Sequence, residues 1–187
     1  MTDDLWRLDA GELSRRIAAR EVTCVGLMRA TLARIDAVNG TVNAIVSLRD
    51  REVLMGEARV ADAMAPKGWL HGIPVAVKDL VAVRGVRSTW GSPIFADYVP
   101  EEDDGIVRRM RKAGAIVIGK TNVPEFGLGS HSTNPVFGTT SNPFDGSRTA
   151  GGSSGGAAAA LSTGMISIAD GSDMMGSLRN PAAWCDV

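Results

Sequence analysis

The chain has 187 residues, 44% apolar and 22% charged, with 20 basic and 21 acidic side chains and a formal charge of −1. That length supports one domain with a sizeable core, and the near balance of charge, with no long basic run, argues against an extended nucleic-acid face. No apolar stretch reaches the roughly 20 residues of a membrane span, Cys24 and Cys185 are too far apart in sequence to suggest a disulfide framework, and the start, MTDDLWRLDAG, is acidic where a secretory leader is basic, so a cytoplasmic protein is expected.

The first 65 residues read as helical. Leu13, Ile17 and Val22 mark one apolar stripe. Thr23 suits the N-cap of a second helix through Val38, with Val25, Met28, Leu32 and Ile35 at spacings of three and four. Asn39-Gly40 is expected to break it. Val42 to Leu48 alternates loosely, as a strand would. A third helix is expected from Arg51 to Met64, with Val53, Ala58 and Ala61 inward.

The texture changes at Pro66, where short apolar runs alternate with Gly, Pro and Ser. Ile73 to Val77 reads as a buried strand ending at Lys78. Gly105 to Ala113 reads as an amphipathic helix whose Arg108, Arg109, Arg111 and Lys112 form a solvated face. Ala115 to Ile118 reads as a second buried strand. Thr121 to Thr149 is long, polar and without period, which in a compact domain is often functional. Ala157 to Leu161 begins a helix, Met165 to Ile168 suits a strand, and Gly176 opens a last short helix. Strands alternating with helices imply an α/β sheet covered on both faces.

Two motifs in these segments lack the context their chemistry needs. Gly114 to Thr121, GAIVIGKT, satisfies the phosphate-loop pattern, but its middle residues favour a strand and Pro124 disfavours a helix at Val123. Lys120 then reads as an ordinary strand-end lysine. Gly151 to Gly155, GGSSG, satisfies the nucleophile-elbow pattern with Ser153 at its centre. That fold places its histidine later in the chain, and none follows His131. The histidines are His71 and His131, and His131 reads as a loop residue.

Three positions remain. Lys78 closes an apolar strand, and a desolvated lysine has a depressed pKa and can act as a base near neutrality. GGSSGG has linker composition, yet it runs into AAAAL, a strong helix former, so it also reads as a tight turn exposing its amides. Ser177, in GSDMMGSLRNPA, stands where a helix begins. It reads either as an N-cap or as part of an oxyanion hole built by the amides of Met174, Met175, Gly176 and Ser177.

These residues together resemble the amidase signature family, whose core is close to GGSSGG followed by GSDTGGSIRxPA. HGIPVAVKDL, AGAIVIGKTNVPEF, TSNPFD and SRTAGGSSGG match family segments in the family's order. The likeness is strong over residues 69–184 and weak over 1–65. It implies an α/β fold with a mixed sheet flanked by helices, in which 1–187 forms the N-terminal part of one domain, a helical region over 1–65 and the signature core over 66–187. It also implies Ser177 as nucleophile, Ser153 as bridging serine in an unusual backbone geometry and Lys78 as base, with Gly127 lining the acyl pocket. No cofactor is expected, and no metal, because His, Cys and carboxylates never cluster at ligand spacing.

The match departs from the family at two places. Met174-Met175 stand where Thr-Gly is usual. A glycine required there for positive φ would leave Met175 strained, and two large side chains are expected to give a smaller or more apolar acyl site. Family members are also several hundred residues long, so the sheet is expected to be incomplete at its C-terminal end, with an unpaired apolar edge that leaves the isolated chain inactive or poorly stable. Three functions stay open: a general amidase on small carboxylic amides, which the Met-Met pair favours; the glutaminase subunit of a tRNA-dependent amidotransferase, working with partner subunits; and an inert fragment. Both a partner subunit and a homo-oligomer are admitted.

Overall fold

The structure is a computed structural model that describes residues 4–187. Helices α1 (Ala10–Ala18), α2 (Cys24–Val42) and α3 (Arg51–Asp62) form the N-terminal region. Each begins on a side chain that satisfies an orphan amide. Asp9 accepts from Glu12 N at 2.8 Å, Thr23 from Gly26 N at 2.9 Å and Asp50 from Val53 N at 3.0 Å. The expected break at Asn39-Gly40 does not occur. Asn39 instead closes the helix end from within: its Oδ1 accepts from Ala44 N and Ile45 N, and its Nδ2 donates to Ile45 O, all at 2.9 Å. The helix stops at Asn43, which turns left-handed at φ 51°. Val53, expected inside, is half exposed on the outer side of α3, while Ala58 and Ala61 are buried.

The remaining elements are β1 (Ile45–Val46), β2 (Pro74–Lys78), α4 (Gly105–Lys112), β3 (Ile116–Thr121), β4 (Thr133–Asn134), β5 (Gly138–Thr139), α5 (Gly155–Ser162) and α6 (Arg179–Cys185). The central sheet has the order β1-β3-β2, with β1 antiparallel and β2 parallel to β3. It is the mixed sheet expected. All residues of β2 and β3 are buried, so both faces of these strands are covered. Segment 165–168 joins no ladder among the described residues. Met165 N bonds back to Ala160 O at 2.9 Å, closing the end of α5, and Met165 and Ile166 are buried as loop residues. The segment starting at Gly176 reaches helical form only at Arg179.

GGSSGG is not a linker. Its serines and the glycines from Gly151 to Gly156 are buried, and α5 begins directly on the sheet. Gly156 makes that approach workable: its amide donates to Asn122 O at 3.1 Å, and a Cβ there would lie 2.2 Å from Asn122 N. The helix start is thereby held against the end of β3, beside the end of β2 where Lys78 sits.

Candidate active site

Lys78 is 1% exposed and points from the last position of β2 toward the start of α5. Its Nζ lies 2.9 Å from Ser153 Oγ, 2.8 Å from Ser154 Oγ and 2.9 Å from Ser172 Oγ. Burial lowers its pKa to about 8 against the opposing fields of Asp170 and Asp173. A lysine held there is substantially neutral at mildly alkaline pH and can take a proton. Ser153 follows a cis peptide bond from Gly152 and is itself buried.

Ser177 is less enclosed. Its hydroxyl donates to Met174 O at 3.2 Å, and its carbonyl accepts from Ser154 N at 2.9 Å. The nucleophile candidate is thus tied to the Gly-Ser turn through its backbone, while its Oγ does not hydrogen-bond Ser153. Both serines line one cavity of about 440 Å³, with Leu80, Phe126, Gly127, Met174 and Met175 among its walls. Gly127 has φ +72°, and a Cβ there would lie 2.6 Å from Leu80 Cδ1, so its bareness keeps the wall closed. Phe126 N donates to Trp90 O at 2.7 Å, and Trp90 Nε1 donates to Leu80 O at 3.1 Å, which fixes Phe126 and Leu80 relative to one another.

The amides expected to converge between 174 and 177 do not all remain free. Gly176 N donates to Asp173 Oδ1 at 2.8 Å, because the Asp173 carboxylate organises this turn. It also accepts from Leu178 N and Arg179 N, both at 3.1 Å, and from the Arg179 guanidinium at 3.0 Å. These contacts, led by Arg179, hold the Asp173 pKa well below the carboxylate range. Met175 has φ 66° and is 91% exposed, and Met174 is 75% exposed, so both stand at the mouth of the cavity.

Several residues around the site carry no signal in the sequence, and one was read differently. Ser154 and Ser172 share Lys78 Nζ with Ser153. Asp170 Oδ1 accepts from the Lys78 amide at 2.8 Å. Lys120 is no ordinary strand-end lysine: it is fully buried and lies 3.3 Å from the Asp79 carboxylate. Burial pushes Asp79 up and Lys120 down, and their mutual attraction opposes both shifts. The available signal was alternation. Asp79 follows Lys78 directly, and Val77 is in register with Lys120, so Asp79 and Lys120 share the face opposite Lys78. His131 is exposed, as a loop histidine would be. Among the described residues no cluster of His, Cys, Asp and Glu could hold a metal ion, and no helix is long and apolar enough to cross a membrane.

The Amidase family profile matches residues 26–187. The chain is 43% identical to a glutamyl-tRNA(Gln) amidotransferase subunit of Moorella thermoacetica over 188 residues, covering 98% of this chain and 38% of that protein. The protein of the same name from Carboxydothermus hydrogenoformans is 40% identical, with 98% and 39% covered. The solved native peptide amidase from Stenotrophomonas maltophilia superposes with a TM-score of 0.90 at 32% identity, covering 98% of this chain and 39% of that one. The chain therefore spans about two fifths of the length of these proteins.

Proposed function

The chain belongs to the amidase family, and on that premise we propose that the protein containing it hydrolyses a carboxylic amide through an acyl-enzyme on Ser177. The observation that carries this reading is the buried contact of 2.9 Å between Lys78 Nζ and Ser153 Oγ. Neutral Lys78 accepts the Ser153 hydroxyl proton as Ser153 accepts that of Ser177. The Ser177 hydroxyl first rotates away from Met174 O and toward Ser153. Its Oγ then attacks the amide carbonyl carbon, and the oxygen gains negative charge beside the turn 174–177. Collapse expels ammonia or an amine, which takes the stored proton back through Ser153. Water then attacks the ester by the same relay, releasing the acid and restoring Ser177. This is nucleophilic catalysis with lysine in the role histidine often plays.

Among the described residues none of the side chains lining the cavity is ionisable, which favours a small neutral amide. A second reading, one component of an amidotransferase, is favoured by the 40–43% identity to proteins of that name. Benzamide and L-glutamine, each offered with hydroxylamine, separate the two, since a trapped acyl group appears as the corresponding hydroxamate. The first reading expects benzohydroxamate, lost in Ser177→Ala; hydroxamate from glutamine alone selects the second, and none from either amide speaks against both.

A further inference from the structure

Three carboxylates surround Lys78, and their charges are not equivalent. Asp79, on the opposite face of the sheet, is matched by Lys120 at 3.3 Å. Asp173, in the turn beside the cavity, is matched by Arg179 at 3.0 Å. The start of α5 presents Ser153 and Ser154, which carry no charge. Asp170 stands apart. Among the described residues no Lys, Arg or His nitrogen forms an ion pair with it. Its Oδ1 is used to accept the Lys78 amide at 2.8 Å, at the last position of β2.

We infer that Asp170 is a positioning residue for the base: it fixes the Lys78 backbone at the end of β2, and its carboxylate, which has no ion-pair partner of its own among the described residues, raises the pH at which Lys78 releases its proton. The inference rests on Lys78 as the base of the proposed reaction. The carboxylate does two separable things. As an acceptor it satisfies the Lys78 amide, so the lysine enters the serine cluster from a fixed origin. As an anion it favours the ammonium form and opposes the desolvation that favours the amine. Without it, the base would be neutral at lower pH and correspondingly weaker as a proton acceptor. Lys120 also feels Asp170, yet that lysine is already held by Asp79, Ser88 and the Val81 carbonyl.

Asp170→Asn separates the two roles, since the amide oxygen can still accept from Lys78 N while the charge is gone. The chain has four lysines, Lys67, Lys78, Lys112 and Lys120, so ¹³C-lysine labelling gives few signals, and Lys78→Met identifies the one wanted. Lys67 and Lys112 are exposed and serve as internal references. The expected result is a folded Asp170→Asn chain in which Lys78 titrates about one pH unit lower while the references stay. A variant that folds with Lys78 titrating as in the parent chain overturns the inference, and so does one that unfolds, since Asp170 would then serve the fold alone. Labelling of Ser177 by a fluorophosphonate, followed over pH, reads the proposed reaction separately. A Lys78 shift in a chain whose Ser177 never reacts leaves the Asp170–Lys78 coupling standing and removes the amidase reading.

Discussion

Lys120 and Asp79 form an ion pair of 3.3 Å in which the two side chains are 0% and 1% exposed. Asp79 is further held by Thr89, whose hydroxyl donates at 2.7 Å and whose amide donates to both oxygens. Removing one partner leaves an uncompensated buried charge. Lys120→Met is therefore expected to lower unfolding free energy by about 3–5 kcal/mol, read from urea titration. The double variant Asp79→Asn, Lys120→Met is expected to recover much of that loss. A double variant no more stable than Lys120→Met would contradict the pairing as the source of the cost.

Lys78 provides the pH dependence. Its folded pKa is about 8 against an ordinary 10.5, so between those values the unfolded chain holds the proton that the folded chain has released. The unfolded state binds more protons in that window, and stability contributed by this group rises as pH increases through it. The proposed reaction rises over the acid side of the same transition, reaching a plateau above about pH 8. Both dependences should flatten in Lys78→Met, whose melting temperature and Ser177 labelling rate can be followed from pH 6 to 10. A rise that survives the substitution assigns the titration to another group.

Met175 occupies a left-handed conformation, φ 66°, that disfavours a side chain with a Cβ, and at 91% exposure it gains little from packing. Met175→Gly is expected to raise stability by about 1 kcal/mol, while Met175→Ala gains nothing because the Cβ remains. Thermal unfolding of the three proteins at one pH decides this. Equal melting temperatures for the glycine and alanine variants would show that the conformation costs nothing.

Gly156→Ala puts a Cβ 2.2 Å from Asn122 N, a backbone atom that cannot swing aside. The start of α5 must then move off the sheet, carrying Ser153 and Ser154 from Lys78. A loss of about 1–3 kcal/mol is expected, together with a labelling rate at Ser177 well below that of the parent chain. Full labelling in a destabilised variant would mean that α5 can shift without disturbing the serines.

Where one local rule governs a segment, the sequence was readable. Thr23 caps α2 as its position suggests, and the apolar runs around Val75 and Val117 are the buried strands expected. Where a distant partner decides, it was not. Asn39-Gly40 has the composition of a helix stop, but the Asn39 side chain reaches the following loop and lets the helix run on. Met165 to Ile168 has the composition of a strand and finds no neighbouring strand among the described residues. At the site, the strand end and the Gly-Ser turn single out Lys78 and Ser153 as candidates, and it is the resemblance to the family that joins them across 75 residues. The contacts of Asp170 with Lys78 and of Lys120 with Asp79 span 92 and 41 positions; alternation puts Asp79 on the face opposite Lys78, but no local spacing announces the register that brings Lys120 to it.

In the proposed reaction Ser177 becomes the nucleophile through Ser153 and Lys78. A fluorophosphonate probe reacts with an activated serine, and digestion with mass spectrometry locates the adduct. In the protein containing this chain one adduct is expected, on the peptide carrying Ser177, absent in Ser177→Ala and reduced by about 10³-fold or more in rate in Lys78→Met and Ser153→Ala. An adduct on Ser153, or labelling of Ser177 that persists unchanged without Lys78, would contradict it.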